Sequence, residues 1–232
     1  MIGFVIVQTR VREPLIPMRF IANRVRVAAY LVVIVLGGAT AALFFIIVLY
    51  MQDVLGYTPL QSGLAWLPYT AAFLAGILLS IRLAPRWGPR WTILAGLAVT
   101  GAGMLVLCLI RVDGSFLLDV LPGTVLIGFG IGFANPALQQ AGMTGVSEKD
   151  AGLGSGLFTT LLQLSGAIGL TALMSIALTA TNQAGTPSPA ATVAGYHAAF
   201  IVATIAVAGA AATTILLLTR TAADAAADSA RS

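Results

Sequence analysis

The chain has 232 residues, of which 59% are apolar and 9% charged. A soluble domain carries about 45–50% apolar and about 25% charged residues, so an ordinary water-soluble globule is excluded. The net charge of +4 reads as Lys and Arg held at one membrane face, and no nucleic-acid partner is expected.

Apolar runs of about 20 residues recur, the length that crosses ~30 Å of hydrocarbon at ~1.5 Å per residue. Backbone groups in lipid must be satisfied within the segment, so such runs predict helices. The ~10-residue alternation of a membrane β-barrel is not seen. Met1–Val7 is a short apolar start followed by Gln8-Thr-Arg-Val-Arg12 in place of a small-residue cleavage site, so it is a poor signal peptide. It reads as the tail of a preceding helix. Residues 9–26 form a basic linker with Arg10, Arg12, Arg19, Arg24 and Arg26, interrupted by Pro14 and Pro17. Either the linker lies on lipid headgroups, or it docks a partner or anionic lipid.

A six-helix transmembrane domain is expected over 27–219, with spans at about 27–51, 62–83, 91–110, 116–143, 151–180 and 196–218. Polar or turn-forming stretches separate them: 52–61 with Gly56 and Pro59, the arginine turn 82–90, Arg111-Val-Asp-Gly114, Ser147-Glu-Lys-Asp150, and 181–195. A cytoplasmic tail, frayed and rich in Ala and Asp, follows over 220–232. With six spans, eleven of the twelve Lys and Arg residues fall on one side; only Arg111 is on the other. The positive-inside rule then puts both termini in the cytoplasm of a multi-pass cell-membrane protein.

Pro136 is expected to bend the fourth span. The pairs Gly128/Gly132 and Gly152/Gly156 each put two glycines on one helix face, where a neighbouring backbone can pack. Cys108 and His197 are each the single residue of their type. No internal disulfide, Cys/His metal site or phosphate loop can be assembled, so no enzyme, cofactor or metal is expected. Asn135-Pro-Ala137 occurs once, whereas the aquaporin fold needs two such triplets.

Candidate site residues are the uncharged polar groups in mid-span: Asn135, Gln139 and Gln140 on the fourth span, Thr159, Thr160 and Gln163 on the fifth. Such groups either hydrogen-bond inside the bundle or face a water-filled cavity. Ionisable groups within spans are costly and are the usual mark of function. Asp119 is the most span-embedded, as an interfacial charge or part of a substrate or proton entrance.

The turn between the second and third spans carries Arg82, Leu83, Arg86, Gly88 and Arg90. It resembles the inter-helix signature of the major facilitator superfamily, roughly Gly-x-Leu-x-Asp-Arg-x-Gly-Arg-Arg. Ile81 replaces the first Gly and Pro85 the Asp. Tyr50–Pro68, Leu121-Pro-Gly, Gly128-Phe-Gly-Ile-Gly132, Ala151-Gly-Leu-Gly-Ser-Gly-Leu157 and Arg12-Glu-Pro-Leu-Ile-Pro17 are similar to segments of its 14-helix drug:proton antiporter branch. Leu162 and Thr159 depart from it, where Arg and Asn are common.

The resemblance implies the carboxy-terminal six helices of a 14-helix efflux transporter for small hydrophobic or cationic compounds, incomplete without an amino-terminal half or self-association. It implies that Asn135, Gln139, Thr159 and Gln163 face a central cavity. Arg82, Arg86, Gly88 and Arg90 would serve as topology anchors and cytoplasmic gate, without the charge latch that needs an acid at Pro85. Two readings from other classes stand beside it. One is a non-transporting six-helix partner or regulator that associates through its Gly-rich faces. The other is a membrane-embedded enzyme, for which no nucleophile–base pair is evident.

Overall fold

A computed structural model describes residues 23–183 and 188–229, except the side chains of 149 and 218–229. The basic linker up to residue 22 with its first three arginines, Arg231, and the side chain of Arg220 fall outside what is described.

The described chain is helical. Helix α1 is Arg24–Leu49, continued by a wider π turn over Tyr50–Val54. A short α2, Pro59–Leu64, leads into α3, Leu67–Leu107. A second π turn, Phe116–Val120, opens α4, Leu121–Gly142. Then come α5, Ala151–Gln183, and α6, Pro189–Ser229. Five stretches are long and apolar enough to cross a membrane.

One of them, Pro59–Leu107, has 49 residues, roughly 70 Å at ~1.5 Å per residue, which is more than two hydrocarbon thicknesses. It is two passes. Gly88, at φ 77 and ψ 161, leaves helical geometry and is followed by Pro89. The neighbours of α4 show that the chain reverses there. Tyr69 lies against Gly128 and Phe73 against Gly132, so the arm 67–87 runs parallel to α4. Gly96 lies against Gly130 and Gly103 against Gly123, so the arm 89–107 runs antiparallel to it. Six passes result, with α4 clamped between the two arms.

The dihedrals of Gly88 belong to a region that only glycine occupies readily. Gly88→Ala is therefore expected to cost about 1–3 kcal/mol, although a Cβ there would meet nothing within 4 Å. Thermal unfolding in detergent, with Gly63→Ala as the unstrained comparison, checks this.

Side chains that satisfy helix-end carbonyls tie the bundle at both ends. At one end, Asn23 caps α1 by accepting from the Val25 and Arg26 amides. Arg26 donates to the Thr144 carbonyl beyond α4 through Nη2 at 2.6 Å, and Tyr30 donates to the Gly142 carbonyl at 3.3 Å. At the opposite end, His197 of α6 donates through Nε2 to the Ile110 carbonyl at 2.8 Å. Tyr50, in the π turn that continues α1, donates to the Arg111 carbonyl at 2.5 Å. Helix α1 packs mainly on α5 and also on α6 and α4. Gly38 meets Gly169 there, and Ser165 is 4% exposed.

Two expectations change. The loop over 181–195 shrinks, because α5 continues to Gln183 and α6 begins at Pro189. Ser188 caps α6 through its hydroxyl, which accepts from the Ala191 amide, and Pro189 fits the first helical turn, where no donor is needed. The tail is helical to Ser229, in keeping with its alanine content. Helix α4 is continuous to Gly142 with Pro136 inside it, as the expected fourth span requires.

Candidate functional site

A cavity of about 310 Å³ lies between α1, the 67–87 arm, α4 and α5. Its wall is largely apolar and aromatic, with Tyr69, Phe73 and Phe158 among the lining residues. Thr40, Asn135 and Gln163 supply polar groups, and no Asp, Glu, Lys, Arg or His lines it. Such a wall suits a ligand that is mostly hydrophobic, with a few hydrogen bonds to orient it.

Each polar group reaches the cavity for a local reason. Glycines at 37 and 38 let α5 approach α1 closely, and Thr40 follows on the next turn. On α5, Phe158, Leu162 and Gly166 recur at helical spacing and face the cavity, with Gln163 beside them. Leu162 and Gln163 line the cavity yet are exposed, so the cavity is open beside α5. Towards the Tyr50 end, Phe44 stacks on Trp66 at 3.9 Å, and Trp66 meets Tyr69 edge-on at 5.4 Å. This aromatic stack continues the wall made by Tyr69 and Phe73. The indole Nε1 of Trp66 is buried with no hydrogen-bond partner.

The structure divides the five cavity candidates. Asn135 and Gln163 line the cavity. Gln139 is outside the lining but donates through Nε2 to Asn135 Oδ1 at 2.7 Å, so it orients the Asn135 amide. Thr159 and Thr160 are exposed on α5 and are not among the residues that line it. Their hydroxyls donate to Ser155 and Gly156 carbonyls of their own helix, at 3.0 and 2.8 Å, which satisfies them without a ligand. Tyr69, Phe73 and Thr40 are cavity residues that polarity in the fourth and fifth spans did not reveal. For Thr40 there was a signal, since it is the only Ser or Thr over residues 27–51.

Asp119 is 6% exposed and sits at the end of α4 opposite Gly142. Its Oδ1 takes the Arg111 Nε–H at 2.9 Å, and its Oδ2 takes the Ser115 amide at 2.7 Å. The carboxylate in turn pushes the Arg111 guanidinium up from its ordinary value, by hydrogen bond first and charge second. The acid is thus fully engaged in closing the 111–119 turn and is not part of the cavity lining. Arg82 and Arg86 are exposed and Arg90 half-buried near the Gly88 reversal. Among the described residues none of the three has a carboxylate partner.

The two glycine pairs differ. Gly128 and Gly132 meet the backbone of the 67–87 arm, as packing requires. Gly152 and Gly156 have nothing within 4 Å of where a Cβ would stand, so that face of α5 is uncovered.

Residues 5–170 match the family model of the Major Facilitator Superfamily. The chain is 34% identical to a puromycin resistance protein of Streptomyces alboniger over 84% of its own length and 40% of the relative's. It is 32% identical to a lincomycin resistance protein of Streptomyces lincolnensis over 75% of the chain and 36% of the relative. It is also 32% identical to the cephamycin export protein CmcT of Amycolatopsis lactamdurans, over 87% of the chain and 41% of the relative. The chain therefore spans well under half the length of these relatives. With six membrane passes, a polar-dotted cavity among four of them and a family match over most of its length, the chain belongs to the Major Facilitator Superfamily.

Proposed function

We propose that the chain forms one six-helix half of an efflux transporter that exports small hydrophobic or cationic compounds by alternating access. The observation that carries this reading is the uncharged, aromatic-lined cavity between α1, α3, α4 and α5, open along the α5 flank. Relatives named for antibiotic resistance or export support it. Transporters of this superfamily are built from two halves around a central site, the handedness of access switching as one rocks on the other. An amino-terminal half, or a second copy, then covers the open flank and completes the substrate path. The reading is of a transporter and not of an enzyme.

The sidedness is part of the proposal. Arg24, Arg26, Arg82, Arg86 and Arg90 gather at one end of the bundle and Arg111 at the other, which supports a cytoplasmic position for the basic end and both termini.

The test is expression in an efflux-deficient host, with and without an amino-terminal half. Resistance to a cationic dye is expected only in the presence of that half. Asn135→Leu and Gln163→Leu should each weaken dye binding about three- to tenfold, the worth of one hydrogen bond. Thr160→Val should leave it unchanged. Full resistance from the chain alone, with monomeric protein, would sink the proposal.

A further inference from the structure

A second concavity lies on the outer side of the hairpin, away from the central cavity. It is lined by Arg86, Trp87, Trp91, Leu94, Ala95 and Ala98 and encloses about 720 Å³. Its two ends differ chemically. At the Gly88 reversal stand Arg86 and both indoles, with Arg90 beside the Trp91 ring. From Trp91 to Ala98 the groove follows one stripe of the 89–107 arm for about 10 Å, at ~1.5 Å per residue, and is wholly apolar. Small Ala95 and Ala98 keep that part open.

The polar end is built to receive negative charge. Arg82, Arg86 and Arg90 have no carboxylate partner among the described residues. The Arg90 Nε is buried and makes no hydrogen bond, while its guanidinium lies 5.1 Å from the Trp91 ring centroid. The position of Trp87 is fixed, because its ring meets Phe133 of α4 edge-on at 6.1 Å. Trp87 and Trp91 are nonetheless 48% and 58% exposed, as tryptophans at a membrane–water boundary are. Arginines without a carboxylate partner can pair with a phosphate through their remaining guanidinium N–H groups.

We propose that this groove binds one anionic phospholipid, with the headgroup phosphate on Arg86 and Arg90 and an acyl chain along Leu94, Ala95 and Ala98. The charge complementarity selects an acidic headgroup over a zwitterionic one. The apolar stripe, running from the charged end towards mid-membrane, selects a lipid over a free phosphate. This inference rests on membrane embedding and is independent of what the central cavity carries.

The full chain in mild detergent would be titrated with phosphatidylglycerol, phosphatidylcholine or glycerol 3-phosphate and weighed by native mass spectrometry. Retention of one phosphatidylglycerol, and no phosphatidylcholine, is expected. Arg86→Gln and Arg90→Gln should each lower its affinity about fivefold, the worth of one basic residue at an anionic surface. Ala98→Phe, at an exposed position, should lower it with the charge unchanged. Arg24→Gln removes a charge from the same end of the bundle but outside the groove and should have no effect. Equal retention of both lipids would overturn the proposal, as would an Arg24→Gln loss matching that of Arg86→Gln. So would displacement of phosphatidylglycerol by glycerol 3-phosphate at similar concentration.

Discussion

Gly132→Val is expected to weaken the fold sharply, so that it unfolds at a clearly lower level of denaturing detergent than the parent. A Cβ at Gly132 would fall on the Phe73 carbonyl oxygen, with the Phe73 carbonyl carbon at 2.9 Å and its Cα at 3.0 Å. These are backbone atoms of another helix and cannot rotate aside. Overpacking a well-filled site costs about 1–3 kcal/mol, occasionally more. Here relief requires separating two helices along their length, so the upper end, ~3 kcal/mol, is the expected loss. Against a total stability of about 5–15 kcal/mol that is severe. Gly152→Val is the matched control, because nothing lies within 4 Å of its Cβ position. Unfolding in a graded series of denaturing detergent reads both variants. A Gly132→Val protein as resistant as the parent would mean that the arm and α4 do not touch backbone to backbone.

The second large effect is expected at Arg26. Its residue is 3% exposed, and it donates to the Thr144 carbonyl through both Nη2 at 2.6 Å and Nε at 3.3 Å. Carbonyls at the end of α4 have no helical partner of their own. Arg26→Ala removes their cation and opens a hole beside Tyr30. A hydrogen bond to a charged group is worth roughly 1.5–3 kcal/mol, and the variant should lose that much in the same unfolding series. Arg26→Lys keeps the charge but cannot present the same planar fork, so it should recover only part. Arg24→Ala, on the exposed neighbour, should recover the parent value. Equal stability of Arg26→Ala and Arg24→Ala would rule out the tie between α1 and α4.

Much of the fold was legible because lipid imposes simple demands on a chain. Long apolar runs between polar breaks are enough to indicate helices and the class of bundle. The reversal at Gly88 was legible from its arginines and prolines, which suit a water-exposed turn, even though the helix is nearly continuous through it. What opposes a given face was not legible. Gly128/Gly132 and Gly152/Gly156 have the same spacing in sequence, yet one pair is sealed against the 67–87 arm and the other faces open space. Spacing assigns residues to a face but does not assign the face a neighbour.

The same limit governs the cavity. Asn135 and Gln163 stood out as polar groups in apolar runs. Tyr69 and Phe73 did not, since aromatic residues in a membrane helix are unremarkable until the fold turns them inward. Thr159 and Thr160 also stood out, but a hydroxyl can satisfy itself on the carbonyl one turn back, so polarity alone does not assign it to a cavity. The stretch 181–195 misled differently. Its prolines and glycine suggested an extended loop, but Ser188 and Pro189 are also the residues that begin a helix well.

The clamping of α4 has a mechanical consequence. Where helices touch through backbone, with no side chains between them, little remains at the contact that can deform. The two arms and α4 therefore act as one stiff block. Helix α5 makes a backbone contact of the same kind with α1, Gly38 against Gly169, but it hardly touches α4 and its Gly152–Gly156 face is uncovered. A change in the width of the central cavity would cost least as a movement of α1 and α5 together against that block.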